Sequence, residues 1–275
     1  MKRCSMRRTR TVSRKMLSGL SVFAMAASVA VATPSVASAD ALPTGPWTAI
    51  GPVQREGGPS AFTSSEVPRP GATLVQDGRG AQTLCTVSWP VLRRGTSLGY
   101  LTAGHCNQQQ GAPLWIPATP FGTPRVRLAP LQDSARGLDE RGASQDSAVF
   151  YLSRAAREAG ASDLAPAPGV VLRGVLTPAQ VMAMPKGTSV CMNGARSGVT
   201  CGPLIAADEK TLEWGGGAVS GDSGAPVFVV DRDGDAMAIG MLTGGPTDTD
   251  NFATYLAPAL ERLGVSAVVG PDSKR

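Results

Sequence analysis

Residues 225–243 read Ala-Pro-Val-Phe-Val-Val-Asp-Arg-Asp-Gly-Asp-Ala-Met-Ala-Ile-Gly-Met-Leu-Thr. Two apolar runs, 225–230 and 236–243, flank a polar pentapeptide rich in Asp and Gly. Short apolar runs joined by such a turn signal predict a β-hairpin. The texture recurs upstream at 84–91, 97–103, 148–152, 170–176 and 189–192. Repeated over most of the chain, it predicts an all-β protein built from antiparallel barrels or sandwiches. Composition agrees: 33 Gly and 22 Pro in 275 residues, with 5% aromatics, favour many turns over long helices. Helical signals are confined to 153–160 and to 257–263, the latter entered near Pro258 and stopped by Gly264. Gly160, Pro166, Pro168 and Gly169 break the β region into two parts of similar size, with a cleft expected between them. Asp231, Asp233 and Asp235 also match the start of a calcium loop. No Glu follows at the required spacing, so the hairpin turn is the preferred reading.

The net charge of +5 would suggest a nucleic-acid or membrane partner, but its distribution argues otherwise. Lys2, Arg3, Arg7, Arg8, Arg10, Arg14 and Lys15 precede an apolar or small-residue run over 16–32 and the small-x-small site Ala37-Ser38-Ala39. These are the parts of a secretory signal peptide over 1–39, with cleavage predicted after Ala39. Ser18, Gly19, Ser21 and Ser28 interrupt the apolar run, which argues against a lasting membrane anchor. All seven bases and no acid lie in 1–39, so the remaining chain carries 19 basic and 21 acidic residues, net −2. No nucleic-acid partner is expected. Residues 40–71 are rich in Pro and Gly, lack periodicity and read as a linker or arm.

Export implies an oxidising compartment. Cleavage would remove Cys4 and leave Cys85, Cys106, Cys191 and Cys201, for which three pairings are possible. No Cys-x-x-Cys pair is present, so disulfides are expected and a metal site is not.

The single histidine lies in Leu101-Thr-Ala-Gly-His105-Cys106, directly after a strand-like run, and Gly221-Asp-Ser223-Gly-Ala-Pro226 follows downstream. A serine hydroxyl needs a base to become a nucleophile, and imidazole can accept and return the proton. A buried carboxylate would fix the imidazole tautomer. The two strings, in this order and separation, resemble the histidine and nucleophile motifs of chymotrypsin-like (trypsin-like) serine peptidases. Asp146, which leads into Ser-Ala-Val-Phe-Tyr, resembles the family's acid and is preferred to Asp133, Asp139 and Glu140.

The resemblance spans about 72–269, is strong at these three motifs, and is closest to secreted bacterial members of the streptogrisin and α-lytic type. It implies two antiparallel β-barrels, about 72–160 and 169–269 within a 72–270 domain, followed by a C-terminal helix and strand. It also implies a His105–Asp146–Ser223 triad, an oxyanion hole from Gly221 and Ser223, and disulfides 85–106 and 191–201. Gly217, Ala218 and Val219 would wall the specificity pocket, and Thr243, Gly244 and Gly245 would pair with substrate backbone as an added strand. No acid stands at the pocket-floor position, Gly217, so a preference for Lys or Arg is not expected from it, although Asp248 and Asp250 in the loop after Gly245 could attract a basic group. The implied activity is a secreted, monomeric serine endopeptidase acting on peptide or protein without a cofactor. The alternatives are a protease-fold binding module with little or no turnover, and a serine esterase using the same triad.

Two departures stand out. The animal-type Ile-Val-Gly-Gly start is absent, and Met192 follows Cys191 where bacterial relatives often carry Arg. Asp222 therefore needs another partner, for which Arg196 is the candidate. The long pro-region common among the bacterial relatives is also missing.

Overall fold

The computed structural model describes residues 43–52, 61–78, 80–94, 96–154, 156 and 164–270. The predicted signal peptide and its cleavage site, and most of the 153–160 helical reading, lie outside these residues. Among the described residues no helix is long and apolar enough to cross a membrane.

The N-terminal unit holds two antiparallel sheets. In the first, β1 (Thr73–Asp77) pairs with β2 (Gln82–Thr86) and β5 (Leu114–Pro117), and β6 (Arg125–Leu128) pairs with β5. The second contains β3 (Pro90–Arg93), β4 (Ser97–Thr102), β7 (Gln132–Ala135) and β8 (Ser147–Tyr151), with β16 (Val265–Ala267) at its edge. The run 84–91 divides between the sheets. At its corner, Val87 N–H bonds Ala72 of one sheet while Ser88 N–H bonds Leu101 of the other. β16 lies on β3, so the C-terminal end of the domain completes a sheet of the N-terminal unit.

The C-terminal unit is a closed barrel. β10 (Ser189–Gly194), β11 (Gly198–Ala207), β12 (Leu212–Trp214), β13 (Pro226–Val230), β14 (Asp235–Thr247) and β15 (Asp250–Tyr255) run in the order 13-10-11-12-15-14, and β14 returns to pair with β13. β9 (Val171–Val175) adds in parallel to the first part of β14. The predicted hairpin is present as β13 and β14, and β14 extends to Thr247, past the end of its apolar run.

Period-two alternation explains why β13 is apolar on both faces. Val227 and Val229 join the barrel core with Met192, Trp214 and Ile239. Phe228 and Val230 face a second core shared with Trp89, Leu101 and Val149 of the N-terminal unit. On β4 the same alternation sends Tyr100 into the N-terminal core and Leu101 into the shared one. Two helices are described, α1 (Pro178–Met182), with a Thr177–Gln180 capping box, and α2 (Leu256–Leu263). As predicted, α2 stops at Gly264, whose φ of +62° suits glycine.

The arm reading of 40–71 changes at its described parts. Trp47 packs on the barrel core and Ile50 on the shared core, and Thr48 N–H bonds Val230 O at 2.8 Å. Ser65 N–H bonds Pro117 O, and Phe62 lies 6.2 Å from the Trp115 ring. These residues have no period of their own because each is only half-buried, singly, against partners on existing sheets.

Candidate active site

β4 ends at Thr102, and His105 sits in the following turn of 3₁₀-helix, Gly104–Cys106. That turn needs glycine at 104, since a Cβ there would lie 1.7 Å from Ala135 O. β8 pairs with β4 through Thr102↔Ala148. Continued two positions past Thr102, this register sets Asp146 opposite Gly104, next to His105. His105 Nδ1 lies 2.7 Å from Asp146 Oδ2, and His105 backbone N–H donates to Oδ1 at 2.8 Å. Asp146 is buried, whereas the imidazole keeps about a quarter of its side-chain surface open (28%), enough to face a substrate. With the proton on Nδ1 directed at the carboxylate, Nε2 is left as an acceptor. The rival acids lie elsewhere: Asp139 accepts from Arg141 and Ala143 N–H within its own turn, and Asp133 and Glu140 sit in exposed or half-exposed loop and edge positions.

Ser223 lies in the loop before β13. Its carbonyl accepts from Thr86 N–H at 2.8 Å, and the Thr86 hydroxyl donates to Gly221 O at 3.1 Å. A Cβ on Gly224 would lie 2.4 Å from Thr102 Oγ1 and 2.7 Å from Ala103 N, so this loop sits directly on the strand leading to His105. Gly221 has φ +101°, a conformation suited to glycine. Among the described residues, the N–H groups of Gly221 and Ser223 donate no hydrogen bond.

Asp222 is fully buried and satisfied by protein donors. Oδ1 accepts from Arg196 N–H at 2.7 Å and Ser197 N–H at 3.1 Å, and Oδ2 from Ser197 Oγ–H at 2.5 Å and Val219 N–H at 2.9 Å. The partner expected of Arg196 is thus supplied by its backbone, together with Ser197, which the sequence reading did not single out. Thr86 was missed as well, because a threonine after a cysteine carries no distinguishing pattern.

A cavity of ≈ 250 Å³ opens beside Ser223, lined in part by Ala218, Val219, Gly244 and Gly245. Gly217 and Thr243 adjoin it in sequence without lining it. Gly217 O accepts from Thr200 Oγ1, and Thr243 Oγ1 bonds Thr254 Oγ1. Leu242, Asn251 and Asp248 complete much of the wall. Asp250, by contrast, lies beside Glu213, where a hydrogen bond between the two carboxyls raises the Glu213 pKa. Both expected disulfides are present: Cys85–Cys106, and Cys191–Cys201 across directly paired positions of β10 and β11. Cys85 and Cys106 flank His105, but their sulfurs are bonded to each other and offer no thiolate to a metal.

No family model and no curated protein matches the chain. Among solved structures, Thermobifida fusca Protease A is similar with a TM-score of 0.51 and 20% identity, over 74% of this chain and 100% of that one. Cellulomonas bogoriensis chymotrypsin gives 0.49 and 21% over 74% and 99%, and Nocardiopsis protease 0.48 and 19% over 73% and 98%. At these identities the similarity speaks for the fold alone, and only the first is strong enough to carry that argument. Taken with the closed barrel and its companion sheets, it shows that the chain has the chymotrypsin-like fold of bacterial serine proteases.

Proposed function

We propose that this protein is a secreted serine endopeptidase, exported by a signal peptide over residues 1–39. The observation that carries the reading is the His105–Asp146 pair, joined by two hydrogen bonds at the end of adjacent strands, with the Ser223 loop packed on the same strand end. In this reading Ser223 Oγ attacks the scissile carbonyl carbon while His105 Nε2 takes its proton. Gly221 and Ser223 N–H hold the oxyanion, each such donor contributing about 3 kcal/mol to the barrier reduction. The C–N bond then breaks as His105 returns the proton to the leaving amine. Water, deprotonated by the same imidazole, hydrolyses the acyl-serine ester and frees the enzyme. Asp146 keeps the imidazole in its working tautomer and stabilises the imidazolium.

The substrate chain would lie along Thr243–Gly245, with one side chain in the cavity bounded by Ala218 and Val219. The binding-module alternative would be favoured by an unpartnered Asp222. Its four hydrogen bonds favour a formed oxyanion loop instead. The test compares secreted wild type with Ser223→Ala, using fluorophosphonate labelling and casein cleavage. Wild type is expected to label and cleave, and the variant to do neither. A folded, oxidised wild type inert in both assays overturns the proposal, and ester turnover without peptide cleavage converts it to an esterase.

A further inference from the structure

The triad spans two units: His105 and Asp146 belong to the N-terminal one, Ser223 and the Asp222 anchor to the C-terminal one. Something must fix the two against each other. Thr63 lies in the Pro/Gly-rich N-terminal segment and is 7% exposed. Its backbone is locked to the start of β1, with Thr63 N–H donating to Thr73 Oγ1 and Thr73 N–H to Thr63 O, both at 2.9 Å. Its hydroxyl crosses to the other unit and donates to Ala195 O at 2.5 Å.

Ala195 stands in the turn between β10 and β11, and the backbone N–H groups of 195–197 lead to the nucleophile loop. Ala195 N–H donates to Thr86 Oγ1 at 3.0 Å, and the Thr86 hydroxyl in turn donates a hydrogen bond to Gly221 O at 3.1 Å. The next two amides, Arg196 and Ser197, hold Asp222. The packing leaves no slack. A Cβ on Gly194 would lie 2.4 Å from Asp222 Oδ1, and one on Gly221 2.9 Å from Arg196 Cγ.

We infer that Thr63 is a positioning residue, through which the N-terminal segment clamps the 194–198 turn and thereby aligns the oxyanion donors with His105. The segment that carries it is then a retained part of the working enzyme and not a removable pro-segment. The inference rests on the peptidase reading above.

The test uses Thr63→Val, which removes the hydroxyl at nearly constant volume, beside Thr63→Ser, which restores it. Thr63→Val is expected to lower kcat and the fluorophosphonate labelling rate by roughly tenfold, with KM within about twofold, because a buried carbonyl loses its donor and the loop loosens. Thr63→Ser should stay within about twofold of wild type in all three. Equal kcat in Thr63→Val and wild type, equal losses in both variants, or a change confined to KM would overturn the inference. If Thr63→Val does not accumulate folded, the intact mass of labelled, secreted wild type decides. A labelled chain that begins before Thr63 supports the inference, and one that begins after it overturns it. A wild type that never labels removes the peptidase reading and this inference together, whereas a labelling wild type beside an equally fast Thr63→Val removes this inference alone.

Discussion

Among the described residues each unit of the molecule buries one aspartate at the candidate site, and the two are solvated by different means. Asp146, in the N-terminal unit, meets a backbone N–H and the ring of His105, a group that can change its charge. Asp222, in the C-terminal unit, meets three backbone N–H groups and one hydroxyl, none of which changes charge near neutrality. A buried carboxylate is tolerable only with such partners. The difference teaches what each is suited to do. A carboxylate coupled to imidazole can follow proton movement during a reaction. One held by fixed dipoles can only fix a shape, here the loop that carries Gly221 and Ser223.

The comparison breaks if the two aspartates respond alike to loss of charge. Asp146→Asn should lower kcat by about 10⁴-fold through loss of the correct tautomer, with a thermal midpoint close to wild type. Steady-state kinetics beside a melting curve checks both halves. Asp222→Asn should show the reverse emphasis, destabilising the fold by about 3 kcal/mol, because either orientation of the amide points an NH₂ at an existing donor. Urea unfolding measures it, and a stable Asp222→Asn would remove the structural role assigned here.

Ser197→Ala sharpens the point by deleting one of four donors. A loss of about 1–2 kcal/mol is expected in the same unfolding assay. The smallest effect concerns Glu213, whose pKa is raised chiefly by its hydrogen bond to Asp250. An acid with a folded pKa above its unfolded one takes up protons on folding. Its contribution is therefore intact below the ordinary carboxylate range and lost as pH rises through the raised value. Glu213→Gln should accordingly gain thermal stability relative to wild type as the pH rises above the ordinary carboxylate range. Parallel melts over that rise in pH test it, and a constant difference would show that this carboxyl pair does not couple to folding.

Much of this architecture is legible in the chain. The runs at 97–103, 148–152, 189–192 and 225–243 became β4, β8, β10 and the β13–β14 hairpin, because each is long enough and apolar enough to signal its own burial. Strands such as β11 and β15 carry too many Gly, Thr and polar residues to stand out, and pairing on both sides makes them strands. At the site, His105, Asp146 and Ser223 were readable as motifs. Thr63, Thr86 and Ser197 were not, since their hydroxyls matter only through where the fold delivers them.

By itself, the sequence determined the all-β class, the hairpin turns, the C-terminal helix stop at Gly264 and the residues that could form a nucleophile, base and acid. These follow from local periodicity, backbone freedom and side-chain chemistry, which a short window of residues contains. Only the tertiary structure decided how Asp222 is satisfied and how the 43–52 and 61–71 segments are employed, because those outcomes depend on which separate turns and strands the fold brings together: Asp222 takes its donors from Val219 and from the 196–197 turn, and Thr63 and Thr86 reach Ala195 and Gly221 more than a hundred positions away.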